Sequence, residues 1–237
     1  MTKPFKFKQF TVQQDRTAMK IGTDGVLLGA WVNIDAAVNS ILDIGAGTGV
    51  IALQMAQRSQ AELIDALEID EAAYEQCTEN FENSPWADRL FCYHAGLLEF
   101  TEEIDDKYDL IVSNPPFYSD EFKSGNTQRD LARFADALPF DHLLICAAHL
   151  LAESGTLAVI IPSKEEAIFL EIAEKEGLFV NRRCGVRGNP NAEEKRILIE
   201  LSKREGEPKM ESLIIETERH QYTPQYTELV KEFYLKM

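Results

Sequence analysis

Strand-like and helix-like segments alternate through the middle of this chain, and that alternation constrains its fold more than any single motif. "SILDIG" (40–45) is a short apolar run ending in glycine, and "GVIALQMAQRS" (49–59) follows with helical spacing through Ile51, Met55 and Arg58. "LIDALEI" (63–69) then reads as a strand and "DEAAYEQCTENFENS" (70–84) as a helix, with Asp70 placed to cap its first turn. Further strands are expected at "RLFCYH" (89–94), "YDLIVSN" (108–114) and "TLAVIIP" (156–162), and further helices at 140–154 and 164–177. A βαβα order of this kind implies an α/β fold with a mostly parallel sheet and helices on both faces. "LFVNRRCGV" (178–186) and "KRILIELS" (195–202), joined by the turn-rich "RGNPNAEE", bring the strands to seven and add an antiparallel edge.

Composition narrows the setting. With 237 residues of which 45% are hydrophobic, the chain can bury one substantial core, so one domain over 1–237 is expected, with 1–35 as an N-terminal extension. The longest apolar runs, "HLLICAAHLLA" (142–152) among them, fall short of a bilayer span, and "MTKPFKFKQF" has no apolar signal core. Cys77, Cys92, Cys146 and Cys184 lack CxxC spacing, and the four histidines are scattered. The reading is a cytoplasmic protein with no metal and no membrane partner, taken as a monomer.

In a parallel sheet of this type ligands bind at the carboxyl ends of the strands. The first such end is "DIGAGTG", Asp43 to Gly49, where Gly45, Gly47 and Gly49 permit a tight turn and close backbone approach. The spacing is GxGxG rather than the GxGxxG of a dinucleotide-binding turn, which favours S-adenosylmethionine over a nicotinamide cofactor. Glu68 ends the next strand at a distance from Gly49 near the roughly 20 residues at which an acid meets ribose hydroxyls. The fourth strand runs into Asn114-Pro115-Pro116-Phe117, a rigid tip that a mere turn would not need.

These segments together resemble the class I S-adenosylmethionine-dependent methyltransferases of Rossmann-like fold, and Asn114-Pro115-Pro116-Phe117 resembles the (D/N)PP(Y/F) signature of those that methylate a planar nitrogen. The resemblance implies that the Asn114 side-chain oxygen and the Pro115 carbonyl accept the two N–H groups of the target amine, with Pro116 stiffening the tip and Phe117 stacking on the flipped base. Asn114 is shared with the cofactor pocket, which would further contain Asp43, Gly45, Gly47, Gly49 and Glu68. Relatives commonly carry an acid after the third strand where this chain has Ala95-Gly96. Backbone groups of Gly96 and Leu97, or the Glu99 side chain, would then have to meet the adenine.

Adding "FKFKQFTVQQDRTAMKIGTDGVLLGAW" (5–31) and the closing "YTPQYTELVKEFYLKM" (222–237), the whole chain is similar to the bacterial tRNA1(Val) adenine-N6 methyltransferases, which act on the adenosine 3′ of the anticodon. That similarity implies tRNA as partner and puts Thr23 and Asp24 near the cofactor, although either could simply cap the helix that follows. The alternative is a glutamine N5-methyltransferase acting on a release factor, which uses a like tip but usually carries a separate N-terminal helical domain. A net charge of -16 opposes nucleic-acid binding unless cations cluster. Lys3, Lys6, Lys8, Arg16 and Lys20 form one basic segment, Arg182 to Arg196 another, and Lys123, Arg129 and Arg133 stand in a long polar loop after the tip. The first and the last of these groups are the expected phosphate contacts.

Overall fold

The computed structural model describes residues 3–116 and 138–237. A short hairpin, β1 (Phe5–Lys6) with β2 (Thr11–Val12), precedes α1 (Thr23–Trp31). There follow β3 (Ser40–Ile44), α2 (Val50–Arg58), β4 (Leu63–Glu68), α3 (Glu71–Glu82), β5 (Leu90–His94), α4 (Leu97–Glu103) and β6 (Tyr108–Ser113). After the undescribed segment come α5 (Phe140–Leu150), β7 (Leu151–Pro162), α6 (Glu166–Lys175), β8 (Phe179–Arg187), β9 (Glu194–Ser202) and β10 (Lys209–Ile214). The chain ends with the hairpin β11 (Glu216–Glu218) and β12 (Gln221–Tyr222) and with α7 (Pro224–Val230).

The main sheet has the order β10-β8-β9-β7-β6-β3-β4-β5. All its strands are parallel except β9, which runs antiparallel to β7 and to β8. The seven expected strands are therefore joined by an eighth, β10, and the antiparallel strand lies between two neighbours rather than at the rim. Alternation assigns the side chains to two cores. Ile41, Leu110, Ala158, Ile160 and Leu198 face the layer that contains α1 and α2, whereas Leu42, Ile111, Val159, Ile161 and Ile199 face the layer that contains α5 and α6. Burial on both faces is why these strands read as unbroken apolar runs.

Two local expectations change. The helix expected over 140–154 stops at Leu150, because Leu151 already pairs with Tyr108 and opens β7. Gly155 permits this register: a Cβ there would sit 2.8 Å from the Tyr108 carbonyl oxygen. At the start of α1 the cap is Gly22, with no side-chain hydrogen bond. Thr23 and Asp24 thus occupy the first turn instead of capping it, and Asp24 there opposes the positive end of the helix dipole. Asp70 does cap α3, its carboxylate accepting from Ala73 N at 2.8 Å.

Candidate active site at the carboxyl edge of the sheet

The glycine loop is built by backbone before any side chain enters. Gly45, Gly47 and Gly49 have φ of 74°, 56° and 76°, the left-handed region that glycine enters without a Cβ clash. Gly45 N and Ala46 N both donate to Leu67 O, and Gly47 N donates to a Glu68 carboxylate oxygen at 2.7 Å. The other oxygen of Glu68 accepts from Ile69 N and Asp70 N, each at 2.9 Å. Glu68 therefore stands against the loop with three of its roughly four acceptor positions taken, so any diol that reached it would have to share or displace the Gly47 bond. Among the described residues, the chain neighbours aside, no atom lies within 4 Å of a Cβ built at Gly45 or Gly47, which leaves an open cradle.

Asp43 has a different role from the one expected. Its side chain is fully buried and one oxygen accepts from Ala52 N at 3.0 Å, so it satisfies an orphan amide of α2, whose own cap Gly49 has no side chain to do so. Its second oxygen is buried without a hydrogen-bond partner among the described residues. Burial pushes the carboxyl up to about 7; the Ala52 bond opposes the shift and nearby Glu68 adds to it. An acid whose pKa is raised on folding contributes stability below its unfolded value near 3.8, and that contribution is lost as pH rises through about 7. Asp43→Asn, which keeps an acceptor for Ala52, should remove this slope. Urea unfolding of both proteins at pH 5 and pH 8 is expected to show the variant gaining on the parent with pH, by at most about 3 kcal/mol, since each pH unit between 5 and the raised pKa is worth about 1.4 kcal/mol. Equal slopes would mean that the carboxyl is not held in this environment.

The fourth strand end lies beside the first. Ile44 pairs with Ser113, and the Ser113 hydroxyl donates to Ile44 O at 2.8 Å, so Asn114 emerges level with Gly45. The Asn114 side-chain oxygen is buried and has no hydrogen-bond partner among the described residues. Such an acceptor costs about 1–3 kcal/mol and calls for a reason. Phe117, Lys123, Arg129 and Arg133 lie outside the described residues. Gly96 is the N-cap of α4, with Leu97 its first residue and Glu99 exposed in its first turn. Beside Gly96 the side chain of Ile69 is 53% exposed, an apolar wall that the sequence reading did not single out.

The basic segments fare unequally. Arg16 pairs with Glu75 and Glu79 on α3, whereas Lys8 is exposed and donates to the neutral Lys231 O, which leaves its charge without an ion pair among the described residues. Arg182 is bound by Glu200 and Glu211, Arg183 by Glu166 and Glu194, and Arg196 by Asp24 at 2.7 Å. The arginines of the segment from 182 to 196 are thus held by carboxylates, while Lys195 is exposed and carries no ion pair among the described residues. Lys6 and Lys20 are exposed and carry no ion pair among the described residues. Two further residues matter that the sequence reading passed over. Gln76 accepts from Asp15 N and Arg16 N, while Asn80 bonds Gln13 on both its groups and donates to Thr48 O, which ties the N-terminal extension to the glycine loop.

Comparison with known proteins fits this geometry. Residues 21–171 match the model of the methyltransferase small domain. The tRNA1(Val) (adenine(37)-N6)-methyltransferase of Flavobacterium psychrophilum is 60% identical over 98% of this chain and 100% of its own length, and that of Christiangramia forsetii is 58% identical over 99% and 98%. The chain belongs to this methyltransferase family. The fold of this chain is similar to that of a predicted O-methyltransferase from Agrobacterium tumefaciens, with a TM-score of 0.67 at 20% identity over 89% of this chain and 96% of that one. For the tRNA1(Val) methyltransferase family, the chain's position at Gly96 is the point of interest, since its φ of -72° and ψ of 147° admit any residue.

Proposed function

We propose that the chain transfers the methyl group of S-adenosylmethionine to the N6 amine of adenosine 37 in tRNA1(Val). The observation that carries the reading is the buried, unpartnered Asn114 oxygen, held beside an open glycine cradle at the carboxyl edge of the sheet. Full-length similarity to relatives of that name supports the substrate. When bound, the cofactor supplies an electrophilic methyl on a sulfonium. Gly45 and Gly47 would admit it by backbone approach, Glu68 would meet the ribose hydroxyls, and Ile69, Gly96 and Leu97 would flank the adenine.

An exocyclic amine of adenine is a poor nucleophile because its lone pair is delocalised into the ring. Asn114 Oδ1 and the Pro115 carbonyl would each accept one of its N–H groups, drawing the nitrogen toward a tetrahedral shape. The two prolines hold these acceptors in place before the substrate arrives, so alignment is not lost to backbone motion. Phe117 is assigned to stack on the base. The glutamine alternative shares this tip chemistry but gains no observation of its own. Among the described residues no helix is long and apolar enough to cross a membrane, and the four cysteines are unpaired. A cytoplasmic location is part of the proposal.

Mass spectrometry of nucleosides from separated tRNAs, incubated with protein and cofactor, tests the reading. N6-methyladenosine is expected in tRNA1(Val); its absence from every tRNA would remove the activity. The cofactor contacts have a separate test in Gly96→Asp. The position has room, its nearest neighbour being Ile69 Cδ1 at 3.9 Å, and an acid there restores what relatives commonly carry. Calorimetry should show cofactor binding tightened several-fold, with the melting temperature equal or slightly higher because Asp is at least as good an N-cap as Gly. An unchanged affinity in the folded variant would mean that backbone groups already satisfy the adenine.

A further inference from the structure

Along the same edge of the sheet, past the Asp24–Arg196 pair, lies a cavity of about 360 Å³, at the small end of the roughly 300–1,000 Å³ typical of ligand sites. Three parts of the chain distant in sequence converge on it. Phe5 comes from β1, Gly22 and Thr23 from the start of α1, and Tyr222, Tyr226 and Tyr234 from the C-terminal segment. The rings of Tyr222 and Tyr226 are 5.2 Å apart and tilted by 36°, and Phe5 meets Tyr234 edge-on at 6.1 Å. Tyr226 is buried at the floor, while Tyr222 is 44% exposed at the mouth. Lys236 also lines the cavity, and among the described residues no acidic side chain does, in a chain of net charge -16.

We propose that this cavity takes an unstacked nucleobase of the RNA substrate that flanks the methylated adenosine. Single-stranded loop bases are bound by stacking on aromatic rings, and an adjacent ammonium suits the phosphate that accompanies the base. The placement agrees. Arg196, which pairs with Pro162 at the end of β7 and holds the start of α1, stands two strands from Asn114, about 10 Å at the usual strand spacing. The mouth at Tyr222 lies beyond it, where Thr223 N donates to Ile215 O just past the end of β10. That separation is a span of a few nucleotides along the same edge. The proposal rests on the RNA reading above and extends it to a second binding point that stacks a base without reading its edge.

The test uses an anticodon stem-loop RNA of tRNA1(Val) with Tyr222→Ala and Tyr222→Phe in the full chain. Anisotropy should show RNA binding weakened at least roughly fivefold in Tyr222→Ala and kept in Tyr222→Phe, with cofactor affinity by calorimetry unchanged in both. Single abasic substitutions through the loop should reveal one flanking position whose loss weakens the parent but not Tyr222→Ala. Parent-like RNA binding by a folded Tyr222→Ala overturns the proposal, as does a parent indifferent to abasic substitution at every flanking position. Either result with N6-methyladenosine still formed leaves the methyltransferase reading standing. If the parent forms none, that reading falls and the cavity loses its assignment with it.

Discussion

Asn114→Ala should lower the methyl-transfer rate by roughly 10²–10³-fold or more, the scale seen when one preorganised group that acts on the transition state is removed. The side chain is assigned to the target amine and the share of Asn114 in the cofactor pocket to its backbone, which the substitution keeps, so cofactor affinity should stay within about twofold and the loss should fall mainly on kcat. The buried oxygen of Asn114 lacks a partner among the described residues, so truncating the side chain to a methyl group removes a polar atom that no described residue satisfies. The variant is therefore expected to melt at the parent's temperature or a few degrees above it. Lost activity together with kept or raised stability is what a residue held for a substrate shows and a packing residue does not. Asn114→Asp keeps an acceptor at the same place and should retain part of the rate. A parent-like rate in Asn114→Ala would take the residue out of the mechanism.

How much of this was legible in the sequence follows from where each feature gets its stability. The order of strands and helices could be read because β3, β6, β7 and β9 are buried on both faces, so their side chains are mostly apolar, with Asp43, Ser113 and Glu200 among the buried exceptions. β10 could not. Its residues Lys209 and Met210 are exposed, Glu211 is engaged by Arg182, and Leu213 is its one fully covered apolar side chain, so no periodic signal marks a strand. The same tertiary dependence hid the fate of the arginines. Arg182 and Arg183 stand in a run of cations by sequence, but their carboxylate partners come from β9, β10 and α6, which only the sheet brings near. The glycine motif and the Asn-Pro-Pro tip were visible because they are local: the chemistry sits on consecutive residues at two strand ends. Gln76 and Asn80 were not, since polar residues four apart on a helix ordinarily mark its solvated face, and here that face is turned to the N-terminal extension.

The three glycines of the loop divide into two kinds, and substitution by alanine should separate them. A Cβ on Gly49 would lie 2.5 Å from Phe81 Cε1 and 2.8 Å from Cys77 Sγ, both within the buried face of α3. Phe81 and Cys77 are closed in by the core and have no room to withdraw, so the clash adds to the roughly 1–2 kcal/mol that a left-handed backbone costs a residue with a side chain. Gly49→Ala is expected to lose several kcal/mol and to fall out of the folded state or melt far below the parent. Gly45 and Gly47 share the positive φ but meet no described residue beyond their chain neighbours where the Cβ would go. Their alanine variants should pay only the backbone cost, remain folded, and lose cofactor affinity because the methyl group stands in the cradle. Thermal melting with calorimetry on the three variants distinguishes the roles. If Gly45→Ala and Gly47→Ala bind cofactor as the parent does, the open space beside the loop is not where the cofactor lies, and the assignment of Glu68 to its ribose would fall with it.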